Sequence, residues 1–228
     1  RQRQMCIRDR KRTGCELCGS DDEIKADYAA QGQSILMQNY RQFIHQEYGV
    51  RQLLVEHTHF NDPEKREHIR RLLIRAAQQK TIPIVNYNDP VSDEENRKME
   101  LAIRRSHGDQ VVECVDNDET AAVIANLVHA KKLVLMTSTE GIYRDPADPK
   151  TLVEQVTAKS MEELEEKVRQ LQESCVGASR AGANGAKAKL EYALKSARQG
   201  TMVIIGHARH RLSDLVEGRV ACTRIGLE

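Results

Sequence analysis

Residues 117–137, NDETAAVIANLVHAKKLVLMT, decide the fold class of this chain. The first part, NDETAAVIANLVHA, has two acidic residues in its first turn and apolar residues at helical spacing, so it predicts a helix. The second part, KKLVLMT, has the continuous apolar run that is typical of a parallel strand buried on both faces. A helix that leads directly into such a strand indicates an α/β protein.

The same alternation extends along the chain in both directions. Apolar spacing and start signals predict helices over residues 22–48, 62–80 and 160–174 and after a Gly-rich loop near residue 185, and strands over 50–58, 81–86 and 201–206. We also predict a hairpin near residues 110–115, and a short helix and an edge strand at the end of the chain. Short turns between helices and strands predict βαβ units and a mostly parallel sheet with helices on both faces.

Composition excludes several classes of function. The formal net charge of the 228 residues is +1, whereas general binders of nucleic acid or of membrane surfaces are usually clearly basic. Trp is absent and aromatic residues make up 4% of the chain, which argues against platforms that stack bases. No apolar run approaches the roughly 18 residues that a membrane span needs. We therefore expect neither a nucleic-acid nor a membrane partner.

The cysteines favour a reducing compartment. Cys15 and Cys18 form a C-x2-C pair, but no second pair follows at the spacing of a zinc finger. The other cysteines are scattered, which is typical of reduced thiols in the cytoplasm. His207 and His210 are interpreted as surface or cleft residues, and no metal ligands are predicted.

The first residues, RQRQMCIRDR, have no apolar period and no helix cap. Our hypothesis is that residues 1–11 are a non-native leader, and the alternative is a disordered basic tail. Residues 12–228 are then a single domain that is incomplete at its N-terminus.

Polar residues follow each predicted strand. NYNDP (residues 86–90) follows one strand, TSTEGIYRDP (137–146) another and GHARH (206–210) a third, and VDND (115–118) precedes a helix. Ligands bind beyond the carboxyl ends of parallel strands, so these segments could converge on one cleft. The plain alternatives are a turn for NYND and an N-cap for DND.

The Gly-rich segment AGANGAKAK, residues 181–189, stands before a predicted helix. Backbone N–H groups at such a helix start can hold phosphate oxygens, and Lys187 and Lys189 would add cations. The alternative is a flexible turn before a surface helix, because the P-loop pattern is absent. Phosphoryl transfer suits this set of residues, since carboxylates such as Asp118 can orient a lysine or hold Mg²⁺ indirectly, and Asn amides suit an amino-acid substrate.

Four segments of the chain, taken in order, resemble the amino-acid kinase family, and most closely its glutamate-phosphorylating members. They are IPIVNYNDP, VDNDETAAVIANLVHAKKLVLMTSTEGIYRDP, GANGAKAKLEYALKSARQGTMVIIGHA and LVEGRVACTRIG. The resemblance covers residues 22–226. It implies a three-layer α/β/α sandwich that lacks its first strands, with ATP and Mg²⁺ as cofactors. It also implies transfer of the γ-phosphoryl group to the side-chain carboxylate of glutamate, the first step of proline biosynthesis, and allows a homo-oligomer.

The resemblance assigns roles to individual residues. It places substrate contacts at Asn86, Asp89 and Asn117, and catalytic roles at Lys189 and Asp118. It places the nucleotide at Thr137, Ser138, Gly182, Ala183, Asn184, Gly185, Ala186, Lys187 and Lys189.

The chain also departs from the family pattern. Thr137-Ser138 replaces a Thr-Asp pair, and the loop A-N-G-A-K-A-K loses one glycine and two hydroxyls. No segment matches the family's first-strand Lys and Gly-Ser or its Ser-Gly substrate loop. Three readings stay open: a glutamate kinase, a degenerate nucleotide- or metabolite-binding module, and a kinase of the same fold with another small acceptor.

Overall fold

The computed structural model describes residues 19–92, 94–107, 111–114, 116–145, 147–174 and 185–228. The chain divides into two compact units, Arg1–Cys114 and Val115–Glu228. The leader proposed for residues 1–11 and the pair Cys15 and Cys18 lie outside the described residues. The single domain expected over residues 12–228 stays a prediction.

The first unit contains a pair of parallel strands and its helices. In chain order the elements are α1 (Asp21–Phe43), β1 (Gly49–Val55), α2 (His57–Asn61), α3 (Pro63–Gln78), β2 (Thr81–Tyr87) and α4 (Glu94–Ser106). β1 and β2 pair from Gly49 opposite Thr81 to Val55 opposite Tyr87. Helix α1 packs on β1 and α3 packs on β2. Both strands therefore end at the same edge of the sheet.

The helix starts in this unit follow from local sequence. Ser20 and Glu23 form a capping box at α1, and the Asp62 carboxylate accepts hydrogen bonds from the Glu64 and Lys65 N–H groups at α3. The prediction of α1 was right, but the helix ends at Phe43, five residues before the predicted end.

The structure between β2 and α5 differs from the sequence analysis in two ways. Residues 94–106 form α4, which was not predicted, because the segment EENRKMELAIRRS is mostly charged and offers few apolar residues. Residues 111–114, expected within a hairpin, belong to no strand.

The second unit is built on a four-stranded sheet with the order β3-β7-β8-β6. In chain order the elements are α5 (Asn117–Leu127), β3 (Lys132–Thr137), β4 (Ile142–Tyr143), β5 (Leu152–Val153), β6 (Gln155–Ala158), α6 (Met161–Ser174), α7 (Gly185–Ala197), β7 (Met202–His207), α8 (Leu212–Glu217) and β8 (Thr223–Leu227). The pairs β3–β7 and β6–β8 are parallel and β7–β8 is antiparallel. The predicted edge strand at the end of the chain is an interior strand, because β8 pairs on both sides.

Helices cover both faces of this sheet. Val203 and Ile205 of β7 lie in a core with residues of α5, α6 and α7, whereas Ile204 packs with Leu215 of α8 on the other face. Successive side chains of a strand point to opposite faces, so β7 is buried on both. The unit is thus the α/β/α sandwich with a mostly parallel sheet that the sequence predicts. Within the described ranges, no helix has both the length and the apolar run that a bilayer span requires.

Candidate active site

The segment before α5 serves as the start of that helix. The Asp116 carboxylate accepts a hydrogen bond of 2.8 Å from the Glu119 N–H, and the Thr120 hydroxyl donates to the Asp116 carbonyl over 3.0 Å. Asp116 is therefore the N-cap, which was the plain reading of DND. The cap also places Asp118 in the first turn of α5, and Asn117 is exposed beside it.

An ion pair joins α5 to α7. The Lys189 ammonium contacts the Asp118 carboxylate, with side chains 24% and 28% exposed. The two helices pack against each other through the core that holds Leu190 and Ala122, so the pair has a fixed backbone frame. A charge-assisted hydrogen bond in this partly shielded place restricts the ammonium to one position.

The start of α7 carries part of the predicted nucleotide loop. Gly185 has a φ of +49°, a left-handed conformation that favours glycine. Ala186 is half-buried and Lys187 is exposed, and the Lys187 carbonyl accepts a hydrogen bond of 3.1 Å from the Gln172 amide of α6. Gly182, Ala183 and Asn184, predicted to hold phosphate, lie outside the described residues.

Thr137 and Ser138 stand at the carboxyl end of β3. Thr137 pairs with His207 of β7, and its carbonyl accepts a hydrogen bond of 2.8 Å from the Ala208 N–H. Thr137 is half-buried and Ser138 is exposed. The loops after β3 and β7 therefore begin side by side at one sheet edge.

A carboxylate that was not predicted ties these two loops together. Glu140, after β3, accepts a hydrogen bond of 2.6 Å from His210 Nε2 and forms an ion pair with Arg209, both after β7. The Glu140 and His210 side chains are 18% and 20% exposed. The T-S-T-E segment gave no signal for this role, since its partners come 69 and 70 residues later. Over the described ranges, no three His, Cys, Asp or Glu residues come together as a metal site would need.

In the first unit, the residues predicted to contact the acceptor stand at the end of β2. Asn86 lies on the strand, and its buried Nδ2 finds no hydrogen-bond partner among the described residues. Asp89 follows in the exposed turn after the strand. A buried amide donor without an acceptor costs stability unless a bound molecule supplies one.

Comparisons with known proteins agree on one family. The sequence model of the amino acid kinase family matches residues 4–207. The chain is 32% identical over 203 residues to the glutamate 5-kinase of Geobacillus thermodenitrificans, covering 87% of this chain and 49% of the relative. It is 30% identical to glutamate 5-kinase 1 of Bacillus subtilis, with 87% and 50% covered. The chain thus spans about half the length of the curated relatives it matches.

A third relative and one solved structure are also similar to the chain. The glutamate 5-kinase of Dehalococcoides mccartyi is 31% identical over 219 residues, covering 94% of this chain and 54% of the relative. A crystal structure of a protein from Aeropyrum pernix K1 is similar with a TM-score of 0.49 at 14% identity, covering 91% of this chain and 75% of that one.

Proposed function

Because the chain belongs to the amino acid kinase family, we propose that it serves ATP-dependent phosphoryl transfer to the side-chain carboxylate of a small acid, glutamate first. The observation that carries this proposal is the ion pair between Lys189 and Asp118 at the start of two packed helices. The relatives from Geobacillus thermodenitrificans and Bacillus subtilis are glutamate 5-kinases, which favours glutamate as the acceptor. The scattered cysteines favour the cytoplasm as the compartment.

The proposed reaction needs little covalent help from the protein. A carboxylate oxygen of the acceptor attacks the γ-phosphorus of ATP, the bond from that phosphorus to the bridging oxygen breaks, and the products are an acyl phosphate and ADP. No proton has to be removed, because a carboxylate is already a nucleophile. The protein therefore contributes alignment and positive charge on the phosphoryl oxygens.

Lys189 is proposed to supply that charge. Its ammonium is held by Asp118 at one point near the start of α7, so it does not have to be ordered when phosphate arrives. Asp118 acts through the lysine and fixes its direction. Thr137 and Ser138 offer hydroxyls to the nucleotide at the carboxyl edge of β3, and Lys187 offers a second, mobile cation.

The described side chains suit ATP better than they suit a metal held by protein alone. A lysine near a helix start fits an anionic ligand. The Asp118 carboxylate is already paired with Lys189, and the described residues contain no acidic cluster that would enclose Mg²⁺. Mg²⁺ in such sites is often held largely by substrate phosphates, which it also neutralises, and it enters this proposal in that form.

The second candidate is a degenerate binding module. Ser138 stands where the family pattern has a carboxylate, which favours this reading. The two candidates differ in one result, because a binding module would bind ATP and form no product.

The test offers a panel of acceptors to the 228-residue chain. The chain is incubated with ATP, Mg²⁺ and one acceptor at a time: glutamate, aspartate, N-acetylglutamate or a nucleoside monophosphate. Two products are measured, the ADP that is released and the acyl phosphate that is trapped with hydroxylamine. We expect glutamyl hydroxamate to form. ATP binding without ADP release for every acceptor would support the binding module, and product with another acceptor alone would support the third reading.

A further inference from the structure

The end of β2 is anchored by a chain of hydrogen bonds that the proposed reaction does not use. His57, 4% exposed, contacts the Tyr87 hydroxyl through Nδ1 over 3.2 Å and the Glu100 carboxylate through Nε2 over 2.9 Å. The Ser92 hydroxyl donates to the Tyr87 hydroxyl over 3.4 Å. These hydrogen bonds join the segments after β1 and β2 to α4.

The chemistry of the groups determines which of them donates and which accepts in each hydrogen bond. A carboxylate is an acceptor only, so Nε2 of His57 donates a hydrogen bond to the Glu100 carboxylate. In the tautomer with its hydrogen on Nε2, Nδ1 accepts a hydrogen bond from the Tyr87 hydroxyl, which in turn accepts one from Ser92. The His57 imidazole at the centre of this network is buried and the Glu100 side chain is 50% exposed. Hydrogen bonds to both ring nitrogens hold the imidazole in one orientation.

A second set of contacts holds the residue after Tyr87. The Asn88 N–H donates to the Val55 carbonyl over 2.9 Å, and the Asn88 amide donates to the Glu56 carboxylate over 2.8 Å. The end of β2 is thus attached to the end of β1 through both backbone and side chain.

These anchors determine the direction of Asn86. Neighbouring side chains of a strand point to opposite faces, so a Tyr87 ring fixed on one face sets the rotation of the strand and aims Asn86 at the other. Asn86 Nδ2 is one of three buried donors in the first unit, with Gln33 Nε2 and Arg97 Nε, that no described residue satisfies, and it is the one on β2. A carboxylate oxygen of a small acid is an acceptor that would complete it.

We propose that His57, acting through Tyr87, is a positioning residue for the acceptor: it holds the end of β2 so that the Asn86 amide donates to a carboxylate of the small acid. This inference rests on the proposed function, because it deepens the acceptor side of the same reaction. His57 itself lies within the network and does not touch the acceptor.

The test compares Tyr87→Phe, His57→Leu and His57→Gln with wild type. Tyr48→Phe is the matched control, since that tyrosine is 43% exposed and lies before β1. Tyr87→Phe removes the hydroxyl that bonds to His57 and Ser92, so the end of β2 loses this anchor and Asn86 its direction. Because the Asn86 hydrogen bond to the acceptor is then weakened, we expect the KM for glutamate to rise about tenfold and the KM for ATP less than about twofold. His57→Gln keeps one donor and one acceptor and should fall between wild type and His57→Leu. A purely structural role would change both KM values together, and this or an unchanged glutamate KM would overturn the proposal.

A second readout separates this proposal from the proposed function. Wild-type chain that forms no acyl phosphate contradicts the proposed function, and two measurements then decide the positioning role: hydrogen exchange of the peptide over residues 86–92, and glutamate binding by calorimetry. Faster exchange confined to that peptide in Tyr87→Phe, with weaker glutamate binding, supports the proposal. Unchanged exchange, or no glutamate binding by wild type, overturns it.

Discussion

Lys189 of α7 forms an ion pair with Asp118 of α5, a residue 71 positions earlier in the chain. Both side chains are mostly shielded from solvent, and both lie near the start of their helix. The pair gives the lysine a fixed direction before any ligand arrives, and the role proposed for Lys189 in phosphoryl transfer depends on this preorganisation.

Replacement of Lys189 by alanine tests this role. We expect kcat for acyl phosphate formation to fall by about 100-fold or more, the scale for loss of one preorganised group, with a smaller change in the KM for glutamate. Lys195→Ala is the control, because that lysine lies on the same helix and pairs with Glu191 at the surface. Steady-state kinetics of both variants check the prediction, and an unchanged kcat in Lys189→Ala would contradict it.

The role of Asp118 is tested by a double-mutant cycle with Lys189. Asp118→Asn keeps the shape of the side chain but removes its charge, so the lysine loses its orientation. If Asp118 acts only through Lys189, the double variant should be no slower than Lys189→Ala alone. Additive losses in kcat would instead assign Asp118 a separate contact with substrate.

Replacement of Asn86 by leucine should weaken the binding of glutamate without lowering the stability of the fold. Asn86→Leu removes a buried donor that has no partner among the described residues, so we expect the free energy of unfolding to stay level or to rise by about 1 kcal/mol. The KM for glutamate should rise at least about tenfold with the loss of one hydrogen bond. Urea unfolding measures the free energy of unfolding, and steady-state kinetics measure the KM for glutamate.

Asn61 is the matched control for that substitution. Its side chain donates to the His57 and Val112 carbonyls and accepts from the Val112 N–H, at 2.8 to 2.9 Å. Asn61→Leu takes this partner from the N–H and carbonyl groups of Val112 and should lower the free energy of unfolding by about 2–3 kcal/mol. Equal stability losses in both variants would mean that Asn86 is satisfied in solution.

Glu140 should be important for the stability of the second unit. Glu140→Gln removes the charge that pairs with His210 and Arg209 in a mostly buried place, so we expect a loss of about 1–3 kcal/mol in the free energy of unfolding. Glu217→Gln, which weakens an exposed pair with Arg219, should cost less than about 0.5 kcal/mol. Urea unfolding of both variants checks the difference, and equal midpoints would contradict it.

The hydrogen bonds that Glu67 accepts from two arginines predict a small effect of acid on the stability of the fold. Hydrogen bonds from Arg70 and then Arg71 lower the pKa of the Glu67 carboxyl from 4.5 to about 2. A lowered folded-state pKa stabilises the fold above pH 4.5, and this contribution is lost as the pH falls from 4.5 towards 2. Glu67→Gln should flatten the acid side of a stability–pH curve slightly, because solvent and salt screen this exposed group. Identical curves for variant and wild type at low salt would refute the prediction.

Local signals were sufficient for most helices and strands. Helix α3 begins at the predicted Asp-Pro signal, and β3 and β7 are the buried strands that their apolar runs indicate. Helix α4 was missed because its sequence is mostly charged and has few apolar residues. The position of β8 inside the sheet was missed because the pairing of a strand on both sides depends on residues far away in the chain.

The sequence by itself determined the fold class, the family resemblance and the residue types at the candidate site, because apolar period, caps and motif order are local properties. Only the tertiary structure decided which of those residues meet. It paired Lys189 with Asp118, assigned Asp116 to a helix cap, joined Glu140 to His210 and enclosed His57 between Tyr87 and Glu100. The physical reason is that each of these pairings except the cap spans 30 residues or more, so it is set by how helices and strands pack rather than by any short stretch of chain.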